Sequence, residues 1–197
     1  MKNKDITLTP IELINSLGEF DLDPCGFYNH NTAKTIYTLP DNDGLTEKWF
    51  GRVWLNPPYS ETSKWIKKMA DHNNGVACVL ASTETIWFQE YVFKRANAIL
   101  FLKSRPKFLD DKYNVVNLMR GVVLVSYGCC INYLKNCNLD GVFVDLSNAS
   151  PITSAKADPD GEHNKRICDS PVGSSKSDKS DTAYPQDVVC NSGQEKI

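Results

Sequence analysis

The chain has 197 residues, 41% of them hydrophobic and 23% charged, which suits an ordinary globular domain with an appendage. A formal net charge of −2 gives no global sign of a polyanionic partner, so charge has to be read locally. No apolar run is long enough to span a bilayer, and none follows the first four residues as a leader would.

Seven irregularly spaced cysteines suit reduced thiols in a cytoplasmic protein. Cys129-Cys130 has no CxxC spacing and no neighbouring histidine, so no metal site is expected. In chain order, Thr9-Pro10-Ile11-Glu12 has the form of a helix start. Thr9 can cap, Pro10 suits the first helical position and Glu12 can complete a capping box. Ile11, Leu13, Ile14 and Leu17 keep helical spacing, and Gly18 can end the helix. Phe20-Asp21-Leu22-Asp23-Pro24 then alternates like a short strand, with both carboxylates on one side. They suit either a solvated strand edge or a ribose-diol acceptor at the carboxyl end of a parallel strand. One short β-like run, Ile36-Tyr37-Thr38-Leu39, and a turn at Asp41-Asn42-Asp43-Gly44 follow.

Arg52-Val53-Trp54-Leu55 reads as a strand that stops at Asn56-Pro57-Pro58-Tyr59. The prolines fix φ and lack N–H donors, so the loop is stiff and its carbonyls are free to accept. An amide acceptor, a fixed carbonyl and the flat face of Tyr59 make a seat for a planar ring with an exocyclic amine. Ser60-Glu61 opens a helix to about Asp71, with Trp65, Ile66 and Met69 on one face and Lys64, Lys67 and Lys68 mostly on another. Val76-Ala77-Cys78-Val79-Leu80-Ala81 and Ala98-Ile99-Leu100-Phe101-Leu102 are continuous apolar runs, as in strands buried on both faces. Between them a helix carries Trp87, Phe88, Tyr91 and Val92. Gly121-Val122-Val123-Leu124-Val125-Ser126-Tyr127 is the last strong strand. Strands alternating with amphipathic helices predict an α/β fold, a mostly parallel sheet flanked by helices.

Ile131-Asn132-Tyr133-Leu134 and Val142-Phe143-Val144 suit short edge strands or the start of an unrelated tail. From about Leu146 the composition turns Ser- and Asp-rich without apolar period, so residues 1–145 are expected to form one domain and 146–197 a disordered tail. Charge within the domain is uneven. Residues 94–120 carry seven basic side chains (Lys94, Arg95, Lys103, Arg105, Lys107, Lys112, Arg120) against Asp110 and Asp111. That stretch suits either a phosphate-tracking surface or a solvated loop of mixed charge.

Asn-Pro-Pro-Tyr after a strand is similar to the catalytic loop of amino-methyltransferases that use S-adenosylmethionine. The wider pattern resembles the phage-type DNA N6-adenine methyltransferases (the phage Dam family). It consists, in order, of Thr9-Pro10, Asp21-Leu22-Asp23-Pro24-Cys25, Asp43-Gly44-Leu45 with Trp49, and Val53 to Tyr59. Thr83-Glu84-Thr85 with Trp87-Phe88, and Arg105-Pro106-Lys107-Phe108, complete it. The likeness covers roughly residues 6–128. It implies an abridged Rossmann-like class I S-adenosylmethionine-dependent methyltransferase fold and a cofactor site lined by Thr9, Pro10, Asp21, Asp23 and Pro24. Asn56, Pro57, Pro58 and Tyr59 would hold a flipped-out adenine, with Lys94, Arg95, Lys103, Arg105 and Lys107 on DNA. It implies DNA as partner, no membrane, no obligate protein partner, and work in a bacterial host's cytoplasm if phage-encoded.

The chain departs from the pattern in having only Gly26 where a glycine-rich turn would follow the first strand. Only about 30 residues separate that strand from the catalytic one, room for one short extra strand. Asp21 and Asp23 remain equal candidates for the cofactor ribose. The same loop also serves methyltransferases acting on RNA or on protein glutamine, and an idle DNA-binding remnant is a further alternative. A remnant would have no need of Asp23 or Asn56.

Overall fold

Apolar residues along the central strands point alternately to the two sides of one sheet, so each side must be covered. The computed structural model describes residues 6–116 and 118–149. Its elements are α1 (Ile11–Leu17), β1 (Leu22–Asp23), β2 (Thr35–Ile36), β3 (Val53–Leu55), α2 (Thr62–His72) and β4 (Gly75–Leu80). A π-helical turn (Phe88–Phe93), β5 (Ala98–Leu102), the ribbon β6 (Phe108–Leu109) and β7 (Val115–Val116), and β8 (Val122–Tyr127) follow. The last described elements are α3 (Ile131–Lys135) and β9 (Gly141–Asp145). The main sheet runs β2-β1-β3-β4-β8-β5-β9, with β6 and β7 as a separate ribbon. β2, β1, β3 and β4 pair in parallel, whereas β8 is antiparallel to both β4 and β5, and β9 to β5. Five of the seven strands therefore point the same way.

Val53, Leu55, Ala77, Val79, Val123 and Val125 face one side, where Trp65, Ile66 and Met69 of α2 and Phe88 and Val92 of the π-helical turn cover them. Trp54, Val76, Cys78 and Leu124 face the other, under Leu13, Ile14 and Leu17 of α1 and Leu134 of α3. Two-sided burial is why these strands read as continuous apolar runs rather than alternating ones. Residues 131–134, expected as a strand or tail, are helical. Ile131 and Leu134 lie one helical turn apart and both pack on this second face. Residues 142–144 do form an edge strand, within β9. Leu146, which composition assigns to the tail, is buried in the core and its N–H donates to the Asn97 carbonyl at 2.8 Å. The disorder expected of the remaining tail falls on residues 150–197, outside the described residues.

The start of α1 differs from expectation. Pro10, not Thr9, occupies the N-cap, and no side chain caps the helix. The alternation expected of residues 20–23 also fails, because β1 is only two residues long and Phe20 and Leu22 pack on opposite faces. Arg52 compensates for so short a strand. Its guanidinium donates to the carbonyls of Glu19 (2.8 Å) and Leu17 (2.7 Å), at the C-terminal end of α1 where a cation is favoured. It lies between the rings of Phe20 and Tyr133, 4.2 and 3.6 Å from their centroids. Its backbone N–H donates to Asp21 Oδ2 at 2.8 Å, and its carbonyl accepts the Asp21 N–H at 2.8 Å.

Arg52→Met keeps most of the stem's packing and removes both carbonyl contacts. Charge-assisted hydrogen bonds are individually strong, so the loss is expected to be about 2–3 kcal/mol, read as a lowered urea midpoint at constant slope.

Candidate active site

The chain leaves β1 outward to β2 and returns to β3 on the other side of β1. Such a reversal opens a crevice at the carboxyl ends of the two central strands. The loops entering it are Pro24-Cys25-Gly26 after β1 and Asn56-Pro57-Pro58 after β3.

Asp23 is buried, with Oδ1 accepting the Cys25 N–H at 3.1 Å and Oδ2 accepting the Thr32 hydroxyl. Burial pushes its acid up to about 6, against the pull of these two donors. A Cβ on Gly26 would come within 2.4 Å of Ile36 Cγ2 and 3.1 Å of Asp23 Oδ2, so only glycine passes here. This one close approach stands where a glycine-rich turn was missed. The Cys25 thiol donates to the Asn56 carbonyl at 3.3 Å and joins the two loops. Burial and the neighbouring Asp23 charge raise its thiol well above the ordinary value.

Asn56 donates from Nδ2 to the Thr7 carbonyl (2.6 Å) and to Thr9 Oγ1 (3.1 Å). A carbonyl can only accept, so the amide orientation follows from its partner. Asn56 Oδ1 is left buried, with no donor among the described residues. Prolines 57 and 58 are buried. The Pro58 carbonyl takes the Glu61 N–H (3.2 Å) and Thr62 hydroxyl (3.3 Å). Tyr59 begins a short 3-10 turn, and burial pushes its hydroxyl up to about 12, a rise the Thr7 side chain moderates.

A strap of residues 6–9 closes this side. With Asp23, His30, Thr32, Trp54 and Asn56 it encloses a cavity of about 40 Å³. The strap is held at Leu8, which exchanges backbone hydrogen bonds with Leu109 (2.7 and 3.0 Å), and at Thr9, whose carbonyl meets His30 Nε2 at 2.7 Å.

A second cavity of about 440 Å³ shares Ile6, Cys25, Gly26 and Phe27 with the first and extends between Pro24, Tyr37, Leu39, Asp43 and Trp65. Part of its wall is Asn42, Asp43 and Gly44, at the start of the loop running to residue 47. Gly44 sits so close to the Pro24 carbonyl that a Cβ would come within 1.8 Å. Lys68 Nζ donates to the carbonyls of Gly44 (3.0 Å), Leu45 (2.8 Å) and Glu47 (2.6 Å), and Trp49 Nε1 donates to that of Gly44 (2.7 Å). Burial lowers the Lys68 ammonium.

The expected site residues thus divide. Thr9, Asp23, Asn56 and Pro58 line the smaller cavity and Pro24 the larger, whereas Pro10, Asp21, Pro57 and Tyr59 line neither. Asp21 is turned to Arg52 and Lys34, and the Arg52 N–H above all holds its acid below the ordinary value. The basic stretch divides too. Lys103, Arg105 and Lys107 follow the carboxyl end of β5, on the same sheet edge as Asn56. Lys94 and Arg95 precede β5 on the opposite edge, where Lys94 pairs with Glu90 and Arg95 with Asp71 and the Ala70 carbonyl. His30 and Thr32 border the smaller cavity, Tyr37 the larger, and Lys68 braces the loop beside it, none of them carrying a local sequence signal. Trp54 packs on Phe20 at 5.5 Å but also lines the smaller cavity, with a buried indole N–H that has no described acceptor.

Among the described residues no group of three His, Cys, Asp or Glu is arranged to hold a metal ion, and no helix is long and apolar enough to cross a membrane.

The profile of a protein family described as DNA N-6-adenine-methyltransferase (Dam) matches residues 1–123. A DNA N-6-adenine-methyltransferase of Escherichia phage T1 is 34% identical over 119 residues, 55% of this chain and 48% of the relative. One of Haemophilus phage HP1 (strain HP1c1) is 31% identical over 100 residues, 48% of this chain and 57% of the relative. The chain spans about half the length of the curated relatives it matches. No solved structure matches it.

Asp23 gives the ligand-free chain a pH signature. In the fold it stays protonated up to about 6, while in the unfolded chain it ionises near 3.8. Between those values the native state binds the extra proton, so stability is full at low pH and is lost as pH rises through the folded value. Urea unfolding should show a loss of roughly 3 kcal/mol attributable to this group from about pH 4 to about pH 7, and Asp23→Asn should flatten the profile.

Proposed function

The chain belongs to the DNA N-6-adenine-methyltransferase (Dam) family, and on that premise we propose that it methylates the N6 amine of adenine in DNA. The observation that carries this reading is the buried, donorless Oδ1 of Asn56, held in its orientation by the Thr7 carbonyl. An amine nitrogen whose lone pair is delocalised into a purine is a poor nucleophile. Asn56 Oδ1 and the Pro57 carbonyl accept its two hydrogens and favour a localised lone pair. Because both acceptors are fixed beforehand, they stabilise charge developing on nitrogen with little reorganisation. The amino group lies at the mouth of the smaller cavity, between Asn56 Oδ1 and the Pro57 carbonyl. The ring stacks outside on Tyr59, a contact worth roughly 1–3 kcal/mol. Adenine reaches such a seat only when flipped out of the duplex.

The methyl donor on this reading is S-adenosylmethionine, which supplies an electrophilic methyl group. The larger cavity supports that fit. Its volume lies in the range of small-ligand sites, and Pro24, Tyr37, Leu39 and Trp65 offer apolar walls for a nucleoside. Asp23, on the smaller cavity that meets the larger at residues 25–27, serves as the polar anchor rather than Asp21, which faces Arg52 and Lys34. Thr9, Pro10 and Pro24 are the family's other expected contacts. The single strand β2 outside β1 supports reading the sheet as an abridged Rossmann-like class I methyltransferase fold.

DNA lies along Lys103, Arg105 and Lys107. The phage origin of both relatives supports action in a bacterial host's cytoplasm. The reading of an idle remnant is disfavoured by the retained Asp23 and Asn56, whose burial costs stability without a ligand.

Incubation with tritiated methyl donor and unmethylated DNA, RNA or total protein should label DNA, as N6-methyladenine. Label only in RNA or protein would sink the assignment. Asn56→Ala should lower the rate about a hundred- to a thousandfold while cofactor binding survives. Replacing Lys103, Arg105 and Lys107 together by alanine should reduce the salt slope of DNA binding by roughly two to three; replacing Lys94 and Arg95 should not.

A further inference from the structure

We propose that Thr9 is a positioning residue for Asn56: its hydroxyl and the Thr7 carbonyl together fix the amide so that Oδ1 faces the target amine. This rests on the function proposed above, and it assigns Thr9 a task different from the cofactor contact that family likeness implies.

Asn56 sits just beyond the end of β3, and the two prolines after it constrain its backbone but leave χ1 and χ2 free. A free amide would present nitrogen as readily as oxygen, and nitrogen, a donor, repels the amine it should hold. The strap removes that ambiguity from two directions. The Thr7 carbonyl accepts at 2.6 Å and Thr9 Oγ1 at 3.1 Å, so both hydrogens of Nδ2 have partners and the oxygen is left over. Thr9 is 2% exposed, too buried for its hydroxyl to serve solvent. It does not cap α1, the task its place before Pro10 suggests.

Thr9 is itself held from outside. His30 Nε2 lies 2.7 Å from its carbonyl, which makes that nitrogen the protonated one. The His30 ring packs against Tyr113, with centroids 6.0 Å apart, and the Tyr113 hydroxyl donates to the Asn29 carbonyl at 3.0 Å. The Leu8–Leu109 pairing lies between the two strap residues that touch Asn56. Thr9 therefore has little freedom to follow Asn56 if the amide turns.

The test compares Thr9→Val with Thr9→Ser. Valine keeps the shape and deletes the acceptor; serine restores it. For Thr9→Val, kcat for an adenine-containing duplex should fall about tenfold with S-adenosylmethionine affinity, read by calorimetry, within about twofold of the parent; Thr9→Ser should recover most of the rate. A cofactor contact would give the reverse, weakened S-adenosylmethionine binding with kcat retained, and would overturn the proposal. So would an unchanged kcat. A readout independent of turnover is the side-chain amide signal of Asn56 in isotope-labelled protein. It should be protected from hydrogen exchange in the parent and in Thr9→Ser, and lose protection in Thr9→Val. Retained protection in Thr9→Val would overturn the positioning role, and its loss would support that role even in a chain that methylates nothing. Absence of transfer by the parent chain would count against the proposed function alone.

Discussion

The register between β1 and β3 is the constraint on which the site depends. The two strands share a single paired position, Leu22 with Val53, because β1 is only two residues long. So short a ladder fixes nothing by itself. Arg52 and Asp21 supply the missing definition, locking the start of β3 to the segment before β1 and to the end of α1. Once that register is set, Asp23 and Asn56 emerge side by side, and the Cys25 thiol can span their loops. A slip of one residue would send every side chain on β3 to the opposite face. Asp21 thus matters to the site through geometry, as a bracket.

Two cavities of different character meet at residues 25–27. The smaller mixes polar and apolar lining, with a buried carboxylate and, among the described residues, an amide oxygen and an indole N–H without partners. The larger is walled by apolar and aromatic side chains and stiffened from outside by Lys68. Burying unpaired polar atoms is unfavourable by roughly 1–3 kcal/mol each. A bound ligand that supplies the missing partners would recover that energy as affinity. Stability withheld from the empty fold becomes selectivity in the occupied one.

Much of this was legible in the sequence where the signal is local. Residues 76–80, 98–102 and 122–127 are strands because runs of apolar residues need burial on two faces. Asn56 and Asp23 stood out because prolines stop a strand beside a polar side chain. What escaped depends on contacts between distant residues. Lys68 looks like one more solvated lysine on α2, and only the path of residues 44–47 brings three carbonyls to it. Lys94 and Arg95 lie only about ten residues before Lys103 and Arg105, yet a strand between them carries the chain across the sheet. Thr9 suggested a helix cap because its partner lies 47 residues away. Residues 131–134 suggested a strand because four residues are too few to distinguish a period of two from one of 3.6.

The strap that roofs the smaller cavity has a consequence for assembly. Sheet pairings join segments from about 13 residues apart, in β1 with β2, to about 52, in β4 with β8. Thr7 reaches Asn56 across 49 residues, and the Leu8 pairing with Leu109 spans about twice that. Loop-closure entropy grows with separation, and distant contacts form late unless other contacts have already shortened the path. The sheet shortens it. A formed sheet therefore lowers the entropic cost of closing the roof and of ordering the Asn56 amide beneath it.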